Sequence, residues 1–299
     1  MKQPVIIDCD PGTDDAIALF LALNNPDWDI LGITITGGNA SLTDCVKNTL
    51  YLLDTTNNTH IPVIPGASNA IKRQFRYGYD YHGLNGMGVD TEGYHVDYQL
   101  DAISFITSQI ENSVEPVKII ALGPLTNIAK TFQQNQDLLK KVDEIIVMGG
   151  AFGKGNITPH SEFNFYNDPE AASLVLNLKK NITLITLNSL ENVFLNQEQC
   201  KLLMTESVYG KVTELILSKW FEFRGELSNR GYEPCDVIAV AVSMIPDICD
   251  YEQGSVRVNC SYDDYAGASE FIKGQGKIRH AININTDRFI KLIRDSFSH

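Results

Sequence analysis

The stretch that decides the fold is Val5–Leu19, "VIIDCDPGTDDAIAL". An apolar, β-rich run, "PVIIDCD", leads straight into four carboxylates within eight residues: Asp8, Asp10, Asp14 and Asp15. The following "DDAIALFLALNN" has apolar spacing suited to a helix. Charge massed at the end of an apolar strand needs an offsetting partner if the acids meet in the fold, and a bound cation is the first candidate.

Working outward, the same alternation recurs. "DILGITIT" reads as a strand and "TDCVKNTLYLLDTTNN" as a helix; "VKIIALG" precedes helical "PLTNIAKTFQQN"; "EIIVMGG" precedes helical "DPEAASLVLNLKK"; "ITLITLNS" is a further strand. These strands are nearly continuous in Val, Ile and Leu, as parallel strands buried on both faces are. The alternation predicts an α/β fold with a doubly wound, mostly parallel central sheet. Its ligand site is expected beyond the C-terminal ends of the strands. The residues just after them, "DCDPGTDD", "TGGN", "LGPLTN" and "MGGAFGKGN", are rich in Gly, Asp and Asn and would converge on one edge. From about Lys72 to Asp97 the chain is rich in Gly and aromatics without clean periodicity, which suits a binding loop or lid. The C-terminal third is helix-rich, with "YGKVTELILSKWFEFRGE" and "CDVIAVAVSMI", then strands "SVRVNCS" and "KIRHAININ" and a final helix "DRFIKLIRDSF". With no repeat or linker, residues 1–299 read as one domain.

The formal charge of −13 argues against nucleic acid and against an anionic membrane surface as partners. No apolar run is long enough to span a bilayer, and "MKQPVIID" lacks the apolar region of a signal peptide. The six cysteines are scattered without a C-x-x-C pair, so the expected compartment is the reducing cytoplasm.

Three readings compete for the acidic loop. Asp14 and Asp15 suit the first turn of a helix, but helix capping leaves Asp8 and Asp10 on the strand unexplained. An aspartyl phosphatase resembling the haloacid dehalogenases would need Mg²⁺ and a downstream Lys, and "PG" follows the second Asp where those enzymes usually carry Thr or Val. A metal site for hydrolysis needs a further carboxylate. Asp236, in "EPCDVIAVAV", is the best candidate, with an N-cap as its equal alternative.

"DCDPGTDDAIAL", "GGN" ending at Asn39, "HGLNGMG" at His82, "LGPLTNIA", "MGGAFGKGN…SEFNFYNDPEAA" and "CDVIAVA" resemble, in order and spacing, the inosine–uridine-preferring nucleoside hydrolase family. The resemblance implies hydrolysis of the N-glycosidic bond of ribonucleosides to ribose and free base. It implies Ca²⁺ held by Asp10, Asp15, Asp236 and the Leu122 carbonyl, with Asp10 activating the metal's water. It implies Asp14, Asn39, Asn164 and Asp236 at the ribose hydroxyls, Asn156 and Glu162 at the 5′-hydroxyl, Phe163 against the sugar, and His82 near the leaving base. It also implies a homodimer or homotetramer. Where enzymes of this family carry a His that protonates the departing base, this chain has Cys235, a weaker donor. Base preference would rest on the loops around Tyr77–Tyr94 and Trp220–Tyr232, with Tyr79, Tyr81 and Tyr232 as stacking candidates. A nucleoside-binding protein without turnover is the non-enzymatic alternative.

Overall fold

The computed structural model describes residues 2–99, 101–191, 193–228, 231–274 and 276–298. Within them the strands are β1 (Gln3–Cys9), β2 (Trp28–Ile35), β3 (Val63–Pro65), β4 (Val117–Ala121), β5 (Val142–Met148), β6 (Ile182–Ile185), β7 (Asp250–Val258), β8 (Ser269–Lys273) and β9 (Ile278–Ile282). The helices are α1 (Thr13–Leu23), α2 (Leu42–Thr55), α3 (Tyr79–His82), α4 (Ala102–Asn112), α5 (Thr126–Gln134), α6 (Phe163–Asn167), α7 (Pro169–Leu176), α8 (Gln197–Lys201), α9 (Val208–Arg224), α10 (Cys235–Met244) and α11 (Thr286–Ser296).

The strands form one sheet in the order β3-β2-β1-β4-β5-β6-β9-β7-β8. From β3 to β9 all neighbours are parallel; β7 pairs antiparallel with both β9 and β8. Helices cover both faces. In β1, Val5, Ile7 and Cys9 pack into the core shared with α1, α2, α9, α10 and α11, whereas Ile6 faces the core under α4, α5 and α7. That two-sided burial is why β1 reads as an unbroken apolar run.

The chain winds outward in opposite directions from β1 and β4, so the crevice between their C-terminal ends is the topological switch point. Asp10 follows β1 and Leu122 follows β4, and both therefore stand at that crevice. Leu122 N–H donates to the Asp8 carbonyl at 2.8 Å, which locks the two strand ends together.

The doubly wound expectation holds, with three additions. The short β3 carries Pro65 and lies at a sheet edge, where the missing N–H is tolerated. Helix α4 follows directly on the aromatic loop. Strand β7 begins at Asp250 rather than Ser255 and brings β8 with it as an antiparallel margin. Among the described residues no helix is long and apolar enough to cross a membrane.

Candidate active site

Asp10 is the centre of the site. Its carboxylate is 1% exposed, and Oδ2 accepts the Asn39 N–H at 2.7 Å. Oδ1 is sealed from solvent and has no hydrogen-bond partner among the described residues. Two glycines make the room: a Cβ on Gly38 would stand 2.0 Å from Oδ2, and one on Gly123 would stand 2.5 Å from Oδ1. The glycines after β2 and β4 thus form a cradle that any side chain would fill.

Asp15 lies at the third position of α1. Its Oδ2 accepts from Gly12 N–H at 3.1 Å and Asn39 Nδ2 at 2.9 Å, and its Oδ1 accepts from Asp10 N–H at 3.3 Å. Capping of α1 is therefore real, but it is only part of what this acid does. Asp15 also meets Asp236 carboxyl to carboxyl. Asp236 is not an N-cap: it lies inside α10, and its N–H donates to Asp14 Oδ2 at 2.9 Å. Asp14 Oδ1 accepts the Tyr232 hydroxyl at 2.7 Å. The loop before α1 and the start of α10, far apart in sequence, are brought together by these acids.

Burial raises every carboxyl here. Asp8 and Asp14 are pushed up to about 7. Asp10 and Asp236 are pushed well above the carboxylate range, first by burial and then by Asp15. Asp8 sits behind the site, where its Oδ1 accepts from Thr34 Oγ1 at 2.6 Å and Asn127 Nδ2 at 2.8 Å, while Oδ2 has no partner among the described residues. Among the described residues none of these acids forms an ion pair with Lys or Arg.

That charge deficit bears on a cation. Among the described residues no three His, Cys, Asp or Glu side chains form a ready-made metal cage. The donor chemistry nevertheless fits a hard cation: buried carboxylates, an orphaned Asp10 oxygen in a glycine cradle, and the Leu122 carbonyl at the same crevice. The Leu122 carbonyl accepts from Asn164 Nδ2 at 2.6 Å.

A cavity of about 430 Å³ opens above the acids, a volume in the range of small-molecule sites. It is lined by Asp14, Asn39, Leu122, Asn156, Glu162, Phe163, Asn164, Cys235 and Asp236, and by His82 on the facing loop. Asp10 and Asp15 lie beneath its floor, both almost fully buried. Glu162 caps α6: its Oε1 accepts from Asn164 N–H at 2.8 Å, and its Oε2 from Gly150 and Phe165 N–H at 2.8 and 3.0 Å. Asp168 caps α7 through Ala171 N–H at 3.0 Å, as its position before a helix suggests. Among the described residues no lysine lines the cavity, so the residue required by the phosphatase reading is missing from that lining.

His82 Nδ1 accepts Thr13 N–H at 3.3 Å, and burial lowers its pKa to about 3, so the ring is neutral and presents Nε2–H. Cys235 is half-buried on the wall, and burial with Asp14 pushes its thiol well above the ordinary range. Tyr232 is 1% exposed and packs edge-on against Trp220, itself 2% exposed. Neither ring is available for stacking on a base. Asn229 and Arg230, in that same loop, lie outside the described residues. The sequence reading missed Arg76 and Arg224, which also line the cavity; as single cations in loop and helix-end segments they carried no motif.

The chain is 39% identical over 177 residues to the pyrimidine-specific ribonucleoside hydrolase RihA of Escherichia coli O139:H28 (strain E24377A / ETEC), a match covering 58% of this chain and 57% of that relative. The chain thus spans little more than half the length of that relative. Its fold superposes on the plant nucleoside hydrolase PpNRh1 with a TM-score of 0.92 at 26% identity, covering 100% of this chain and 99% of that one. A purine-preferring ribonucleoside hydrolase from Gardnerella vaginalis shares the fold with a TM-score of 0.88 at 23% identity, covering 99% and 98% of the two chains. The acid-lined crevice and cavity lie wholly within residues 5–291, which match the profile of the inosine-uridine preferring nucleoside hydrolases, and the chain belongs to that family.

Proposed function

We propose that this protein is an enzyme that hydrolyses the N-glycosidic bond of ribonucleosides, releasing ribose and the free base. The observation that carries the reading is Asp10, a buried carboxylate with one unpartnered oxygen, held in a two-glycine cradle beneath a cavity of small-molecule size. Asp10, Asp15, Asp236 and the Leu122 carbonyl would hold Ca²⁺. When bound, the ion neutralises the acids, offers the ribose diol a hard-cation partner and makes water a better nucleophile.

The chain's own residues do the rest. Asp10 takes the proton of the water that attacks C1′. Asp14, Asn39, Asn164 and Asp236 bind the ribose hydroxyls, and Asn156 and Glu162 bind the 5′-hydroxyl. Phe163, half-buried on the cavity wall, packs against the sugar. The acidic floor stabilises the positive charge that grows on the ribosyl ring as the bond breaks. His82 and Cys235 face the base.

The whole chain acts as one domain, works in the cytoplasm and assembles as a homodimer or homotetramer. The free state of all six cysteines supports the reducing compartment. The test is release of ribose from uridine and inosine with Ca²⁺ present. Binding of both nucleosides without ribose release would point instead to a binding protein.

A further inference from the structure

Breaking the glycosidic bond sends its electron pair to the base nitrogen, so something must accept negative charge at the base end. Among the described residues two cations line the cavity, Arg76 and Arg224, and they differ. Arg76 is exposed. Arg224, the last residue of α9, is clamped: its guanidinium lies 4.5 Å from the Tyr81 ring centroid, and Nη1 donates to the Asp80 carbonyl at 3.1 Å. Both partners belong to the aromatic loop that carries His82. Among the described residues that carbonyl is the guanidinium's single hydrogen-bond acceptor, and Nε is sealed from solvent with none. A guanidinium carries five N–H donors, so this one is held in place yet left largely unspent. The Tyr81 ring covers the guanidinium on one side, and Arg224 lines the cavity.

We propose that Arg224 is a further catalytic residue, which receives the departing base as an oxo-substituted anion. This rests on the hydrolase reading above. The C1′–N bond breaks with both electrons going to the base nitrogen. The water oxygen bonds to C1′ and gives its proton to Asp10. The guanidinium donates to the exocyclic oxygen over which the base anion spreads its charge, and the base then takes a proton from solvent. Substrates that fit are nucleosides whose base carries a carbonyl conjugated to the glycosidic nitrogen, such as uridine and inosine. Nicotinamide riboside does not fit: its base leaves neutral and needs no cation.

The experiment compares kcat on uridine, inosine and nicotinamide riboside for the wild type, Arg224→Gln and Arg224→Lys, with thermal melts as a folding control. The expected result is a loss of about 100-fold on uridine and inosine for Arg224→Gln, the scale for removing one preorganised donor. Arg224→Lys should recover part of it, and nicotinamide riboside turnover should hold or rise. An equal fall on all three substrates, or unchanged uridine and inosine turnover, overturns the role of Arg224. A wild type that turns over none of the three removes the hydrolase reading itself, and the inference with it.

Discussion

Asp14, in the first turn of α1, accepts the backbone N–H of Asp236 at the start of α10 at 2.9 Å, across 222 residues of chain. The contact places a carboxylate at the positive end of α10 and carries Asp236 to the crevice where Asp10 and Asp15 wait. Tyr232 holds the other Asp14 oxygen.

Tyr232→Phe tests that arrangement. Removing the hydroxyl leaves Asp14 with an unfilled acceptor, and the expected loss is about 1 kcal/mol of stability by denaturant unfolding. The buried ring stays, so the ratio of uridine to inosine turnover should not change. A large change in that ratio would return Tyr232 to the base pocket.

The cradle around Asp10 gives a second prediction. Gly38→Ala and Gly123→Ala each force a methyl onto the Asp10 carboxylate. A displacement of about 1 Å at a reacting group can cost about 100-fold in rate. Both variants are therefore expected to lose kcat by that order while keeping a cooperative melt. Full activity in either would show that the carboxylate position is not critical.

The pH dependence of stability follows from the buried acids. In metal-free protein burial lets the folded state keep protons on Asp8 and Asp14 up to about 7, and on Asp10 and Asp236 well above the ordinary carboxylate range. The unfolded chain, with ordinary carboxylates, has already released them, so the folded state binds more protons and stability falls as pH rises. His82, lowered to about 3, and His280, lowered to about 4, work in the opposite sense, but only below the ordinary histidine value of 6.5. Above that value the acids act alone. Melting in a chelator should therefore fall as pH rises from about 6.5 through about 7. Ca²⁺ should reverse it, adding about 2.7 kcal/mol at a hundredfold excess over Kd. Melts that rise with pH in chelator, or that ignore Ca²⁺, would contradict the cation site.

Much of this was legible in the primary structure, and for physical reasons. Strands buried on both faces must be continuously apolar, so β1, β2, β4, β5 and β6 announced themselves. Because a doubly wound sheet puts ligands at the strand ends, the Gly- and Asp-rich loops pointed to one crevice. Edge elements were harder. β3 is three residues with a proline, and half-exposed β8 has no continuous apolar run. Long-range polar contacts were invisible. Nothing local to Tyr232 says that its hydroxyl will reach Asp14, nothing near Asn127 says that it will reach Asp8, and nothing near Arg224 says that Tyr81 will hold it.

Cys235→Ala separates the thiol from the chemistry. Burial keeps the thiol protonated and a poor acid near neutrality. The expected outcome is a change in kcat of less than about tenfold on uridine and inosine, well short of the 10²–10⁴-fold scale of a general acid. A loss of about a thousandfold, restored by no other donor, would assign the proton transfer to Cys235.

The most direct measurement is ribose release from uridine and inosine by the wild type and by Asp10→Asn, each with Ca²⁺ and with chelator. Asp10→Asn keeps the shape and the Asn39 contact but removes the base. The expected result is turnover by the wild type with Ca²⁺, near-complete loss on chelation that Ca²⁺ restores, and near-complete loss in Asp10→Asn under both conditions. Turnover that survives chelation, or that persists in Asp10→Asn, would contradict it.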